Sequence, residues 1–496
     1  VNLASIIEDH PADAVAIVSR GRATTYGELR EQVAALRGGL LGLGLEPGDR
    51  VAIIAGNNWY FVASYLAVLG AGLVAVPLNP SNPSVALAHE LAAVGARAAV
   101  VGPSARAAVA EIERAAIPTV EHLICCGDDG GGTVCLDDLL GAEPAPIVER
   151  EPSDLAALMF TSGTAGAPRA AMLSHRNLLV NIRQVLAAAD DVQRADDVAF
   201  GLLPLFHIFG LNVVLGGTLA TGSRVVLVER FDPVSALETI ELHRITLISG
   251  PPTMWAAFAG LPGVEAGAFA SVRTAVSGAA KLPVEVAQAV EARFGLHLRE
   301  GYGLTEASPV VCSPSGTDAP PGSVGIPVPG VEVRLVDPDG DDVLVGDAGE
   351  LWVRGPNVFA GYWNDPDATR RVLSDDGWLR TGDVAVVDDD GYLFIVDRAK
   401  DLVIVSGFNV FPAEVEEVLL EHPAVDSCAV VGVPHPHTGE AVKAYVKVRD
   451  GMSVEEDDVI SFCAERLARY KCPNKVWFVD EIPRGLGGKV LRRVLR

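Results

Sequence analysis

Hydrophobic positions along the first half of the chain follow two periods. Apolar residues recur every three or four positions from Thr25 to Leu43 and from Trp59 to Leu69, which predicts helices. Short runs of branched apolar residues, Arg50 to Ile54 and Leu73 to Pro77, lie between and after them and predict buried strands. Similar runs recur at Ala98 to Gly102, Leu155 to Phe160, Arg224 to Leu227, Leu247 to Ser249 and Val272 to Ser277. Strand and helix in alternation imply a layered α/β fold with a largely parallel sheet. The longest apolar run, Phe61 to Leu78, contains Tyr65 and two glycines and ends in Pro77-Leu78-Asn79-Pro80, so it reads as a core helix running into a strand rather than a membrane span.

After about residue 323 the pattern becomes short alternating strands separated by Asp-Gly and Gly-Asp turns: Val331 to Val336, Glu350 to Arg354 and Tyr392 to Val396. From Arg398 a third pattern begins, with helices at Pro412 to Glu421 and Val454 to Ala468 and strands at Val425 to Val433 and Lys443 to Lys447. The expected architecture is a large N-terminal domain, 1–396, of layered α/β subdomains plus a β-rich subdomain, and a small α+β C-terminal domain, 398–496.

Composition narrows the function. The 496 residues are 49% hydrophobic and 21% charged, which describes a globular chain of several domains. The net charge of −25 excludes a global basic field for nucleic acid and repels anionic membranes, so anionic substrates need local cations. Seven cysteines without metal or disulfide spacing read as reduced thiols, and Val1 to Arg20 lacks a secretory pattern; the expectation is a cytoplasmic protein with no integral membrane segment. Only Arg466 to Arg496 is basic, which reads either as a solvated tail or as a lid for phosphates.

Five segments carry candidate chemistry. Thr161-Ser162-Gly163-Thr164-Ala165-Gly166-Ala167-Pro168-Arg169 follows a strand and supplies hydroxyls, glycines and a cation able to wrap a polyphosphate, although it is not a Walker loop. Gly301-Tyr302-Gly303-Leu304-Thr305-Glu306 offers an aromatic face, a hydroxyl and a carboxylate for Mg²⁺. Trp378 to Asp383 sets a carboxylate on a turn where it could accept the hydroxyls of a ribose, Asp397-Arg398-Ala399-Lys400-Asp401 leads into Ser406 to Glu416, and Pro483 to Arg493 contains Lys489. The first two are weak signals alone: a Ser/Thr/Gly loop is more often a turn than a phosphate site. Gly70-Ala71-Gly72 fits a dinucleotide fingerprint only formally, since it follows a helix and enters a strand.

In this order the five segments resemble the ATP-dependent adenylate-forming superfamily of acyl-CoA synthetases, aryl-CoA ligases, luciferases and peptide-synthetase adenylation domains, over essentially the whole chain. The resemblance implies that ATP activates a carboxylic acid as acyl-AMP, with loss of pyrophosphate, before CoA displaces AMP. It implies phosphate contacts from Thr161, Ser162, Gly163, Thr164, Gly166 and Arg169, and nucleotide contacts from Gly278, Ala279, Gly301, Gly303 and Thr305. Tyr302 would stack on adenine, Asp383 and Arg398 would hold ribose, and Glu306 would hold Mg²⁺. Lys489 would bridge the acid and the α-phosphate; Lys400, Ser406, Gly407 and Phe408 would face CoA, with Asp397 as the hinge of a mobile C-terminal domain. His207, in Leu203-Pro204-Leu205-Phe206-His207-Ile208-Phe209-Gly210, would gate or orient the acid.

Departures from the family pattern are Ala165 for threonine, Arg169 for lysine and Ala170 for glycine in the phosphate loop, and Gly487 where Ser or Thr is common. Arg169 keeps the charge and adds a planar donor fork. Ile404 replaces a lysine of luciferase-like members. Ser406 to Glu416 is closest to fatty acyl-CoA ligases, so a medium- or long-chain fatty acid is the expected substrate. The alternatives are an aryl-CoA ligase of 4-coumarate type and an acyl-AMP ligase delivering to a carrier protein; a homodimer is compatible with any of them. A nucleotide-binding sensor with a dead site is disfavoured because Glu306, Asp383, Arg398 and Lys489 are all present.

Overall fold

The first long helix, Tyr26–Gly42, starts at a capping box: Glu28 N–H donates to Thr25 Oγ1, and Thr25 N–H donates to the Glu28 carboxylate. The next, Trp59–Gly70, is buried on every side from Phe61 onward, which is why its sequence is apolar all round. It runs into the strand Val74–Pro77, so the longest apolar run is a core helix and a core strand. The computed structural model describes residues 1–127, 134–161, 168–398, 401–405, 408–436, 438–484 and 490–495, and the side chains of 397, 398, 404, 408, 409, 439 and 493 are outside that description.

Two seven-stranded sheets dominate the large domain. In one, the strands Val134–Cys135, His122–Cys125, Ala98–Val101, Arg50–Ile54, Val74–Pro77 and Leu155–Thr161 run parallel, and Arg169–Ser174 closes the edge antiparallel. In the other, Leu298–Glu300, Thr274–Ser277, Leu247–Gly250, Val198–Gly201, Arg224–Leu227 and Val15–Ser19 are parallel, and Arg22–Thr25 is the antiparallel edge. One core takes residues from both sheets, Ile17, Ala199 and Val225 with Val51, Ile53 and Ala75, together with the central helix. The outer faces are covered by further helices, with Leu87 and Leu91 on the first sheet and Trp255, Phe258 and Val290 on the second. Layers of helix on both faces of a parallel sheet are the architecture the sequence predicts.

A three-stranded sheet, Tyr302–Gly303, Val310–Ser313 and Ile326–Pro327, leads into a four-stranded antiparallel sheet, Glu332–Val336, Gly349–Arg354, Leu379–Val387 and Leu393–Arg398. The β-rich part thus begins at Tyr302, earlier than expected from the sequence, because two-residue strands carry no alternating pattern. In the C-terminal part the long hairpin Val425–His435 and Gly439–Val448 joins Val403–Val405, Phe408–Val410 and the parallel strand Lys475–Phe478. Its helices Pro412–Leu420 and Glu456–Ala464 bury Val415, Leu419, Val459 and Cys463 on one face. The second helix stops short of the expected Ala468: the chain turns there, and Lys471 Nζ donates to the Glu414 carboxylate at 2.6 and 2.8 Å.

Among the described residues of the basic C-terminal stretch, several cations are paired. Arg492, half enclosed, grips the Glu416 carboxylate with its terminal nitrogen at 2.7 and 2.8 Å, and Lys475 bonds Glu456 at 3.1 Å. These two cations are committed to ion pairs within the small domain. All seven thiols are free. Among the described residues no helix is long and apolar enough to cross a membrane.

Candidate active site

The parallel strands Leu247–Gly250, Thr274–Ser277 and Leu298–Glu300 all end at one cleft of about 990 Å³, on the edge where open α/β sheets bind ligands. Of the expected site residues, Thr161, Arg169, His207, Gly278, Ala279, Gly301, Tyr302, Gly303, Thr305, Glu306 and Asp383 line this cleft. Residues 161 to 383 in sequence are therefore brought to one place.

At its polar end Tyr302 Oη donates to Asp383 Oδ2 at 2.6 Å, and Asp383, only 5% exposed, pairs in register with Arg398 on the neighbouring strand. The expected adenine and ribose residues thus sit side by side. Two tight approaches shape their loops. A Cβ on Gly303 would lie 2.2 Å from the Pro309 carbonyl oxygen, and one on Gly278 would lie 2.9 Å from the Phe209 ring. Ala279 holds φ +70°, a left-handed conformation that turns the chain sharply at the cleft edge. The loop ends at Leu282, whose N–H donates to Glu300 Oε1 at 3.1 Å; burial pushes the Glu300 carboxyl up to about 7.

Thr305 and Glu306 occupy a single turn, Thr305–Ala307. Tyr362 Oη donates to Glu306 Oε1 at 2.7 Å, and burial beside that carboxylate keeps the phenol protonated. Among the described residues no group of three metal-ligating side chains occurs. A lone carboxylate fits Mg²⁺, which keeps waters and takes most of its ligands from substrate phosphates, and does not fit an all-protein metal cage. Arg169 Nε bonds Asp365 Oδ2 at 3.0 Å, with its guanidinium 5.8 Å from the Tyr362 ring centre. Thr161 and Arg169 pair across the base of the hairpin whose loop was expected to hold phosphates.

The other end is lined by Phe206, Phe209, Val213 and Val276, with Ile182, Val185 and Leu186 from the helix His175–Leu186. His207 precedes a π-helical segment, Phe209–Gly216, pinned by buried Asn212, which donates to the carbonyls of Leu178 and Ser308. His207 is exposed at the cleft wall, where the dense protein around it lowers its pKa by desolvation, and its Nδ1 accepts Phe209 N–H at 3.3 Å. That bond assigns the proton of the neutral ring to Nε2. This end is not wholly apolar: Ser249, Thr274 and Arg299 also line it.

Ser162, Gly163, Thr164, Gly166, Lys400, Ser406, Gly407 and Lys489 lie outside the described residues, and for Asp397, Arg398 and Phe408 only the backbone is described. Asp397 is within the strand Leu393–Arg398, opposite Val384. Leu491, two residues after Lys489, lines the cleft. Sequence reasoning missed Tyr362 and Asp365, which lie outside the recognised segments, and Arg299, whose strand alternation with buried Leu298 and Glu300 could have revealed a cleft-facing cation.

A family model described as AMP-binding enzyme matches residues 4–363, and one described as AMP-binding enzyme C-terminal domain matches residues 414–489. A feruloyl-CoA synthase of Amycolatopsis sp is 40% identical over 97% of this chain and 95% of its own. A long-chain-fatty-acid–CoA ligase of Yersinia pestis is 38% identical over 98% and 92%. The crystal structure of ATP-bound MatB from Rhodopseudomonas palustris superposes with a TM-score of 0.92 at 34% identity, covering 100% of this chain and 98% of that one.

Proposed function

The chain belongs to the AMP-binding enzyme family, within the adenylate-forming superfamily, and from that membership we propose that it joins a carboxylic acid with an apolar body to CoA in two steps. It is an enzyme, an AMP-forming acid–thiol ligase that uses ATP, Mg²⁺ and CoA. In the first step an acid oxygen bonds to the α-phosphorus of ATP and pyrophosphate leaves. In the second, the CoA sulfur bonds to the acyl carbon and AMP leaves.

The observation that carries this reading is that the Tyr302–Asp383 pair and the Glu306–Tyr362 pair share a cleft with a mainly apolar chamber. Asp383 and Arg398 would take the ribose, Tyr302 the adenine, and Thr305 the α-phosphate. Glu306, with one oxygen steadied by Tyr362, would hold Mg²⁺, whose charge offsets that of the phosphates. Arg169 would exchange Asp365 for phosphate. His207, neutral, would donate from Nε2 toward the acid. Lys489 would neutralise charge developing between acid and α-phosphate, and the cleft position of Leu491 supports its approach.

Lys489 and the loop at Gly407 lie in the same C-terminal segment, so serving both steps calls for a rotation of that domain, 398–496, about Asp397. The test is acid-dependent exchange of labelled pyrophosphate into ATP, followed by thioester formation with free CoA. Both are expected. Exchange without thioester would redirect the second step to a carrier protein, and no exchange with aliphatic or aryl acids would overturn the reading.

A further inference from the structure

We propose that Arg299, with Ser249 and Thr274, is a specificity-determining group that binds an oxygen at the far end of the acid, away from its reacting carboxylate. The substrate class is thus an acid with a distal hydrogen-bond acceptor, such as a hydroxyarylalkenoate, rather than a plain alkyl chain. This rests on the adenylation reading above.

Strand register supports the placement. Arg299 is the register partner of Val276, and Val276 is the partner of Ser249, so the three form one cross-strand row. Register partners in a parallel sheet project from the same face, and all three line the cleft. Their neighbours Leu298 and Glu300 are buried on the opposite face, whereas Arg299 is exposed. At about 3.3 Å per residue, the Arg299 row lies about 7 Å, and Thr274 about 13 Å, down the sheet from the nucleotide-side loop at Gly278. A rigid acid whose carboxylate enters beside that nucleotide-side loop would carry its distal atoms across this row.

The three side chains are available. Among the described residues, Arg299 has no ion pair or side-chain hydrogen bond and Ser249 Oγ has no partner, whereas Arg273 nearby is committed to Asp197. Thr274 Oγ1 accepts from Arg273 at 3.3 Å, which leaves its hydroxyl proton to donate. Ile182, Val185 and Leu186 also line the cleft, and their apolar side chains suit a ring or unsaturated body. An alkyl tail laid over Arg299 and Ser249 would strip water from both without replacing its hydrogen bonds, whereas a phenolic oxygen or a second carboxylate would replace them.

The experiment compares kcat/KM for CoA thioester formation with 4-hydroxycinnamate, cinnamate, linear C8 to C16 acids and α,ω-dicarboxylates, in wild type, Arg299→Leu, Arg299→Lys and Ser249→Ala. Wild type is expected to favour an acid with a distal oxygen over its unsubstituted match by about tenfold, the worth of one charge-assisted hydrogen bond. Arg299→Leu should erase that preference mainly through KM and leave cinnamate within about twofold; Arg299→Lys should restore part of it. Preference for a dicarboxylate would identify the distal oxygen as a carboxylate and still support Arg299. Equal losses on substituted and unsubstituted acids, or a wild-type preference for a linear acid over every acid with a distal oxygen, would overturn the proposal. If Arg299→Leu fails to fold, an unchanged preference in Ser249→Ala and Arg299→Lys overturns it likewise. Loss of pyrophosphate exchange with every acid would instead overturn the adenylation reading.

Discussion

Glu300 and His175 give the fold pH dependences of opposite sign. The Glu300 carboxyl, near 7 in the folded chain against 4.5 unperturbed, keeps a proton that the unfolded chain has released between those values. Its contribution therefore falls as pH rises from 4.5 to 7 and is constant above. Buried His175, lowered to about 4 from 6.5, has the opposite sign: the folded chain loses stability as pH falls through that window. Glu300→Gln keeps an acceptor for Leu282 N–H and removes the first slope. Urea melts should show the variant gaining on wild type by on the order of 2 kcal/mol between pH 4.5 and 7.5. Parallel curves would contradict the buried-acid account. Motif residues such as Tyr302, Thr305, Glu306 and Asp383 were legible in the sequence because their chemistry is carried by contiguous segments. Tyr362, the partner of Glu306, and Asp365, the partner of Arg169, were not, because the pairing arises from packing between segments far apart in the chain.

Runs buried on both faces were read closely. Arg50–Ile54 and Arg224–Leu227 have the limits that the sequence suggested, since a central strand of a parallel sheet is apolar throughout. Tyr302–Gly303 and the π-helical Phe209–Gly216 were not legible: one is too short for a period, and the other shares its composition with an ordinary helix. The turn after Gly303 brings Tyr302 and the Thr305–Glu306 turn to one cleft, and the Pro309 carbonyl 2.2 Å from a built Cβ forbids a larger residue. Gly303→Ala must push two backbone segments apart. It should cost about 1–3 kcal/mol of stability and raise the KM for ATP by at least about tenfold, read by melting and steady-state kinetics. Unchanged kinetics would mean that this turn does not shape the nucleotide site.

The order of the three structural textures along the chain was legible, but the seating of the small domain was not, because it rests on pairs between residues far apart in sequence, such as Lys281 and Glu417. Lys281 pairs with Glu417 across that junction, with side chains 45% and 59% exposed, and such a pair contributes at most about 1 kcal/mol. The proposed rotation about Asp397 would have to break this pair, at that small cost. Asp397→Pro fixes φ near −65° and removes an N–H, so it should impair one half-reaction far more than the other, while equal loss in both would indicate misfolding. The most direct measurement is Lys489→Ala assayed half-reaction by half-reaction. Acid-dependent ATP–pyrophosphate exchange should fall by at least about a hundredfold while thioester formation from supplied acyl-AMP and CoA persists, since the lysine charge acts on the first transition state. Near-normal exchange in this variant would contradict the account.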